Sequence, residues 1–350
     1  MPVYPSRRAV VLLALAGLLV SPLAASASVD AVSRSPAAGL LADIGFDAKQ
    51  RRAIDAGQIV AIEARATLDN ELSGAVAMRL PLPAADVARR LRRGLVVLAD
   101  PKSTAYAALD DGKDDAVWAG VGFTRAEQAE VVRLARIEPG DTFNLSAAEI
   151  AMIRRAMAGV EPQSTEAAAL ASDAYRAVLI RRWRAYRGSG LAGLAGYDRG
   201  DVTLLPGESL RLIGAATSLP PLLLPLARAL NSYPAAQPRG LESLFFWKKT
   251  IVDARTTFVL SHVAVEETAD AVLFALREYY VGQSYDVLQQ LGVVIPDGEQ
   301  AVMLAVNSTL TDRITGPLGV IARPLGRRFA RDALASYFAR IRDLCSAPLP

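Results

Sequence analysis

The chain has 350 residues, with 39 Lys and Arg against 36 Asp and Glu, one His and one Cys. So small a surplus of basic residues excludes the electrostatic footprint of a nucleic-acid binder. One histidine excludes every site that needs two, and one cysteine excludes Cys-rich zinc sites and an internal disulfide.

The N-terminus has the layout of a secretory signal peptide. Arg7 and Arg8 form a positive n-region, and Ala9 to Val20 is a continuous apolar run. Pro22 breaks the run, and "AASASVD" offers small residues for cleavage after Ala27. The run is shorter than the roughly 20 apolar residues that span a membrane. Residues 1–27 are therefore expected to be a signal peptide, with export to the periplasm or the exterior. Ser6-Arg7-Arg8-Ala9-Val10 also resembles a twin-arginine signal, so both export routes stay open. Residues 28–40 are expected to be a disordered leader. Residues 41–350 are expected to form a single α+β domain, long enough to bury a core without disulfides.

From about 41 to 123 the chain mixes short helices with strands. "GQIVAIEARATL" and "LSGAVAMRLPL" carry β-branched residues in partial alternation and read as paired strands. Pro83 opens a helix over "PAADVARRLRR". "TAYAALDDGKDDAVWAGVGF" reads as a hairpin around Asp111-Gly112; its acidic loop lacks the spacing of a calcium loop. From about 124 to 235 the pattern is helical. Thr124-x-x-Glu127 and Ser146-x-x-Glu149 fit the capping box. Ala171, Tyr175, Val178, Leu179, Trp183 and Tyr186 recur at three and four residues, on one face of a helix over Thr165–Arg187. "SLPPLLLPLARALNSYP" reads as a buried helix with prolines at its head.

From about 241 to 311 five strand-like segments follow at short intervals, which predicts an antiparallel meander. A helix after Pro324 closes the chain, with an apolar stripe of Leu325, Phe329, Leu334, Tyr337, Phe338, Ile341 and Leu344. The fold class is α+β: an antiparallel sheet, with strands from about 57–123 and 241–311, closed by a long C-terminal helix and carrying a helical middle section. Arg323, Arg327, Arg328, Arg331, Arg340 and Arg342 make that closing helix basic. They either face water or give a peripheral membrane contact.

No reaction is named by any motif. There is no G-x-x-x-x-G-K-[ST] loop, no S-x-x-K and no G-x-S-x-G elbow. Gly188, Gly190 and Gly193 do spell G-x-G-x-x-G. They follow a helix rather than a strand, so Gly188 reads as a helix C-cap and the rest as a close-packed turn. His262 is mid-strand, on one face with Phe258, Leu260 and Ala264. It reads as a satisfied core histidine or as a general base. In the next strand Arg277 and Tyr279 share one face, and Glu278 and Tyr280 the other. Phe258, Leu260, His262, Arg277, Tyr279 and Tyr280 are the candidate ligand-binding residues, with His262, Glu278 and Tyr280 as catalytic candidates. No metal and no cofactor is expected.

The element order "GQIVAIEARATL … AVAMRLPLPAADVARRL", then helices, then strands from Thr256 to Thr311, then a long closing helix, resembles a START-like helix-grip fold. That resemblance implies a curved sheet gripping the closing helix around an apolar cavity; the helical middle departs from it. Separately, "YRGSGLAGLAGYD", "LESLFFWKK" and "VLSHVAVEE" are similar to segments of a family of exported bacterial proteins, to which no activity is attached. The leading expectation is non-catalytic binding of a hydrophobic or lipid-like molecule. The alternatives are a cofactor-free hydrolase, lyase or cyclase using His262 with Glu278 or a Tyr, and a structural or interaction protein without a ligand. No nucleic-acid partner is expected.

Overall fold

A computed structural model describes residues 36–348, apart from 111–114, 141, 215–218, 236 and 315–318. The expected signal peptide, most of the expected leader and the Asp111-Gly112 turn lie outside the described residues. The N-terminal part holds α1 (Pro36–Ile44), α2 (Ala48–Asp55), β1 (Val60–Glu63), β2 (Glu71–Leu80), α3 (Ala84–Arg92), the single turn α4 (Leu95–Leu98) and β3 (Ser103–Leu109). The middle holds α5 (Gln128–Ala135), α6 (Ala147–Ala156), α7 (Thr165–Ser189), a ribbon of β4 (Tyr197–Asp198) and β5 (Thr203–Leu204), α8 (Pro206–Gly214) and α9 (Leu224–Ser232). The last part is β6 (Leu241–Val252), β7 (Arg255–Glu267), β8 (Val272–Val281), β9 (Val287–Asp297), β10 (Gln300–Leu310) and α10 (Gly319–Ser346).

The main sheet is antiparallel, with eight strands in the order β1-β2-β10-β9-β8-β7-β6-β3. It does not close into a barrel. The meander β6 to β10 forms as expected, because each strand follows its neighbour through a short turn. Between β6 and β7 the turn is Asp253-Ala254 with φ of 50° and 60°, the left-handed pair that suits a two-residue hairpin. The helices cover both sheet faces. On one face α3, α4 and α10 pack Val87, Leu91, Phe338 and Ile341 against Val263, Phe274, Val294 and Met303. On the other, α5 to α8 lie over the β6, β7 and β8 end, and α1, α2 and α9 lie over the β2, β9 and β10 end. We call these the closing-helix face and the middle-helix face.

Several local expectations are met by the expected devices. Ser146 and Glu149 form a reciprocal capping box, as do Thr124 and Glu127. Leu334, Tyr337, Phe338, Ile341 and Leu344 of the predicted stripe belong to the closing-helix core, while the side chains of Leu325 and Phe329 lie outside the described residues.

Four expectations change. Pro36–Ile44 is helical, with Ala37 and Leu41 buried, so a disordered leader cannot extend past residue 35. The closing helix starts at Gly319, so Pro324 falls inside it. β3 does not pair with residues after the Asp-Gly turn. It pairs with β6, from Ser103↔Thr250 to Leu109↔Phe245, and Asp115–Trp118 is a 3-10 turn. The reason is Trp118, which goes into the core 5.9 Å from the Trp183 ring and takes its segment off the sheet. Finally, the residue ending α7 is Gly190, two after Gly188. Its φ is 56°, its N–H donates to the Tyr186 carbonyl, and a Cβ there would lie 1.7 Å from the Tyr233 carbonyl oxygen. Gly190→Ala should therefore cost about 1 kcal/mol or more; urea unfolding of the two proteins checks it.

Candidate functional site

The single histidine marks the middle-helix face. His262 of β7 sits opposite Phe245 of β6 and Arg277 of β8. It is 1 % exposed, and both ring nitrogens are occupied: Nδ1 is 3.0 Å from the Tyr186 hydroxyl and Nε2 is 2.9 Å from the Ser243 hydroxyl. The Phe245 and Tyr233 rings lie 4.6 and 4.8 Å away. Burial, then the nearby Arg277 and Arg187 cations, hold the imidazole pKa well below its ordinary value. The ring is neutral, and both nitrogens already have hydrogen-bond partners.

The other ligand candidates crowd the same face. Tyr279 stacks on Tyr186 at 4.0 Å. Tyr280 shares a 2.8 Å hydrogen bond with the Tyr175 hydroxyl, and the Arg182 guanidinium lies 4.4 Å from its ring centre. Phe258 packs against Phe123 and Tyr175, and Leu260 lies in the same core. Arg277 is fully buried. It donates to Gln289 Oε1, the Leu230 carbonyl at 2.7 Å and Asn231 Oδ1 at 2.7 Å, and no described carboxylate pairs with it. The six residues lie together on this face, but their surroundings are aromatic rings and backbone of α7 and α9.

A bulge changes which side chains share a face. Leu260 pairs with Tyr280 and Ser261 with Glu278, so Tyr279 is an extra residue. Tyr279 and Tyr280 therefore both enter the middle-helix core, where strict alternation separates them. Glu278 stays on the closing-helix face. The expected pairing of His262 with Glu278 is thereby excluded, because the sheet stands between them. Burial also pushes the Tyr279 and Tyr280 hydroxyls well above their usual pKa, which keeps them protonated.

Glu278 belongs instead to a buried network that sequence reasoning missed. Lys248 Nζ is 2.8 Å from Glu278 Oε1 and 3.0 Å from Asp100 Oδ2, and the Tyr285 hydroxyl donates to Glu278. Burial alone lowers a lysine pKa, but Glu278 and Asp100 outweigh it, and the net direction for Lys248 is upward. Asp100 is pushed up by burial, yet Lys248 and the Lys102 N–H bring it below the usual carboxylate range. A lysine held charged this way is not a nucleophile. The signal was Lys248-Lys249, two charges side by side inside an apolar strand. Lys249 points to the opposite face and binds Glu127 Oε2 at 2.6 Å.

Asp100 also reaches a groove that follows the open side of β3. The groove has a volume of about 740 Å³. Consecutive residues Ser103 to Ala107 line it, so it follows the strand's edge rather than one face. Leu98, Val117 and Trp247 give it apolar walls, and Arg340 of α10 also lines it. Arg340 is exposed and has no ion pair among the described residues. None of the six sequence-derived ligand residues lines it. Among the described residues no group of three His, Cys, Asp or Glu side chains is placed to hold a metal ion, and no helix is long and apolar enough to cross a membrane. No family model matches the chain, and no curated protein matches it.

Two outcomes follow from these clusters. Replacing Lys248 by Met leaves the buried Glu278 and the half-buried Asp100 without their ammonium partner, and should cost about 3 kcal/mol at neutral pH in chemical denaturation. His262 is neutral when folded and binds a proton below about pH 6.5 when unfolded. Its contribution to stability is therefore present above that pH and falls by about 1.4 kcal/mol per pH unit below it. The stability difference between the wild type and His262→Asn, measured from pH 7 to pH 5, should shrink with that slope.

Proposed function

We propose that this chain is an exported, non-catalytic binding protein that holds a hydrophobic or lipid-like molecule in the groove beside β3. The observation that carries this reading is the groove itself, where apolar walls from Leu98, Val117 and Trp247 meet a polar end at Arg340. Arg340 suits an anionic head, and the apolar walls suit the body of an amphiphile. The START-like resemblance agrees in one respect, since Arg340 comes from the closing helix. The exposed Arg328 and Arg331, three residues apart on that helix, are also suited to peripheral contact with an anionic membrane, from which such a ligand is drawn. The hydrolase, lyase or cyclase reading is weaker, because His262 and Glu278 lie on opposite faces.

Native mass spectrometry after gentle purification should show a co-purifying amphiphile. An anionic fluorescent fatty-acid analogue should bind, quench Trp247 fluorescence, and bind Arg340→Glu about tenfold or more weakly through loss of a charge-assisted contact. An apo mass in every preparation, together with no probe binding, rejects the reading.

A further inference from the structure

The two edges of the main sheet are guarded differently. β1 is four residues long, ends in Glu63 and lies against α2 and α10. Short, charged and covered edges are the usual protection against strand addition. β3 runs seven residues, Ser-Thr-Ala-Tyr-Ala-Ala-Leu, with no charge and no proline. One side of it pairs with β6, and the other faces the groove, whose far wall includes Ala116 and Val117 of the 3-10 turn that touches β3. Thr104, Tyr106 and Ala108 are exposed. Charge stands only at the two ends, Lys102 just before and Asp110 just after, both exposed.

The spacing of those charges selects a partner. When two identical strands pair antiparallel about a two-fold axis, residue i meets j and j meets i. With Tyr106 on the axis, Thr104 meets Ala108 of a second copy, and beyond Thr104 Lys102 comes within one residue of Asp110. Each match occurs twice, so two opposite-charge pairs bracket a neutral centre. The β3 bulge between Ser103 and Ala105 offsets the Lys102 end by a residue, a distance its flexible four-carbon stem spans. Other registers lose the match. An axis at Ala105 sets Asp110 against Asp100, and an axis at Ala107 sets Lys102 against Gly112 and Asp110 against Thr104.

We propose that β3 is a self-pairing interface, at which a second copy of this chain adds its own β3 edge to edge and joins the two sheets into one. It rests on the groove reading in one respect: the partner strand enters the same space, so pairing and ligand binding exclude each other.

Added cysteines test the register, because the native Cys345 is buried. Tyr106→Cys should form an interchain disulfide with itself under mild oxidation. Ala108→Cys should do so only when mixed with Thr104→Cys, since identical positions off the axis are too far apart to bridge. Sedimentation of the purified chain at micromolar concentration should show a dimer. Tyr106→Lys and Lys102→Asp should each raise its Kd about tenfold or more through like-charge contact. Lys102→Asp combined with Asp110→Lys should restore it, with circular dichroism confirming that each variant folds. A monomer throughout, or a dimer whose cross-links ignore this pairing, overturns the proposal. The two proposals fail separately: a chain that stays monomeric after its amphiphile has been stripped removes this one alone, whereas a register-matched dimer that carries no amphiphile, and whose dissociated Lys102→Asp variant does not bind the probe, removes the ligand reading alone.

Discussion

A sheet covered on both faces leaves the charged side chains it buries to find their partners inside the protein. That constraint organises the molecule. An unpaired buried charge costs several kcal/mol, so the strands place their charges only where another element supplies the counter-group. Lys248 lies between Glu278 and Asp100, which ties β6 to β8 and to the segment leading into β3. Arg182 of α7 meets Glu149 of α6 at 2.6 Å beneath the Tyr280 ring. Arg277 solves the same problem without a described carboxylate, by donating to Gln289, Asn231 and the Leu230 carbonyl at the end of α9. His262 solves it by staying neutral.

The same constraint moves the plausible binding site. A strand face rich in Tyr, His and Arg looks like a ligand wall in one dimension. In three dimensions α7 lays Tyr175 and Tyr186 onto it, and Tyr233 after α9 fills the space beside His262. The open space lies at the sheet's end instead, where the 3-10 turn at Asp115–Trp118 leaves β3 without a neighbouring strand on one side. An edge strand has unpaired backbone groups along one side. The groove follows from that topology more than from any residue of unusual chemistry.

Much of the architecture was legible from residue patterns. The meander, the long middle helix, both capping boxes and most of the closing stripe rest on local rules, namely periods of 2 and 3.6 and self-contained caps. The errors have equally definite causes. A bulge at Tyr279 of β8, opposite Leu260 and Ser261 of β7, breaks the period of 2, and that single extra residue puts Tyr280 on the face of Tyr279 and leaves Glu278 on the other. The partner of β3 was misassigned because an Asp-Gly turn outweighed Trp118, whose burial is settled by Trp183 sixty-five residues away. The Lys248 network was foreshadowed only by two lysines inside an apolar run.

The sequence by itself determined the elements and the α+β class, since turns, caps and hydrophobic periods act over a few residues. It also carried the charge spacing of Lys102 and Asp110 around a neutral strand. Only the tertiary structure decided that β3 is an edge, that His262 and Glu278 stand on opposite sides of the sheet, and that the aromatic face is filled. These depend on which distant segments pack together, and burial energy is set by the partner as much as by the residue.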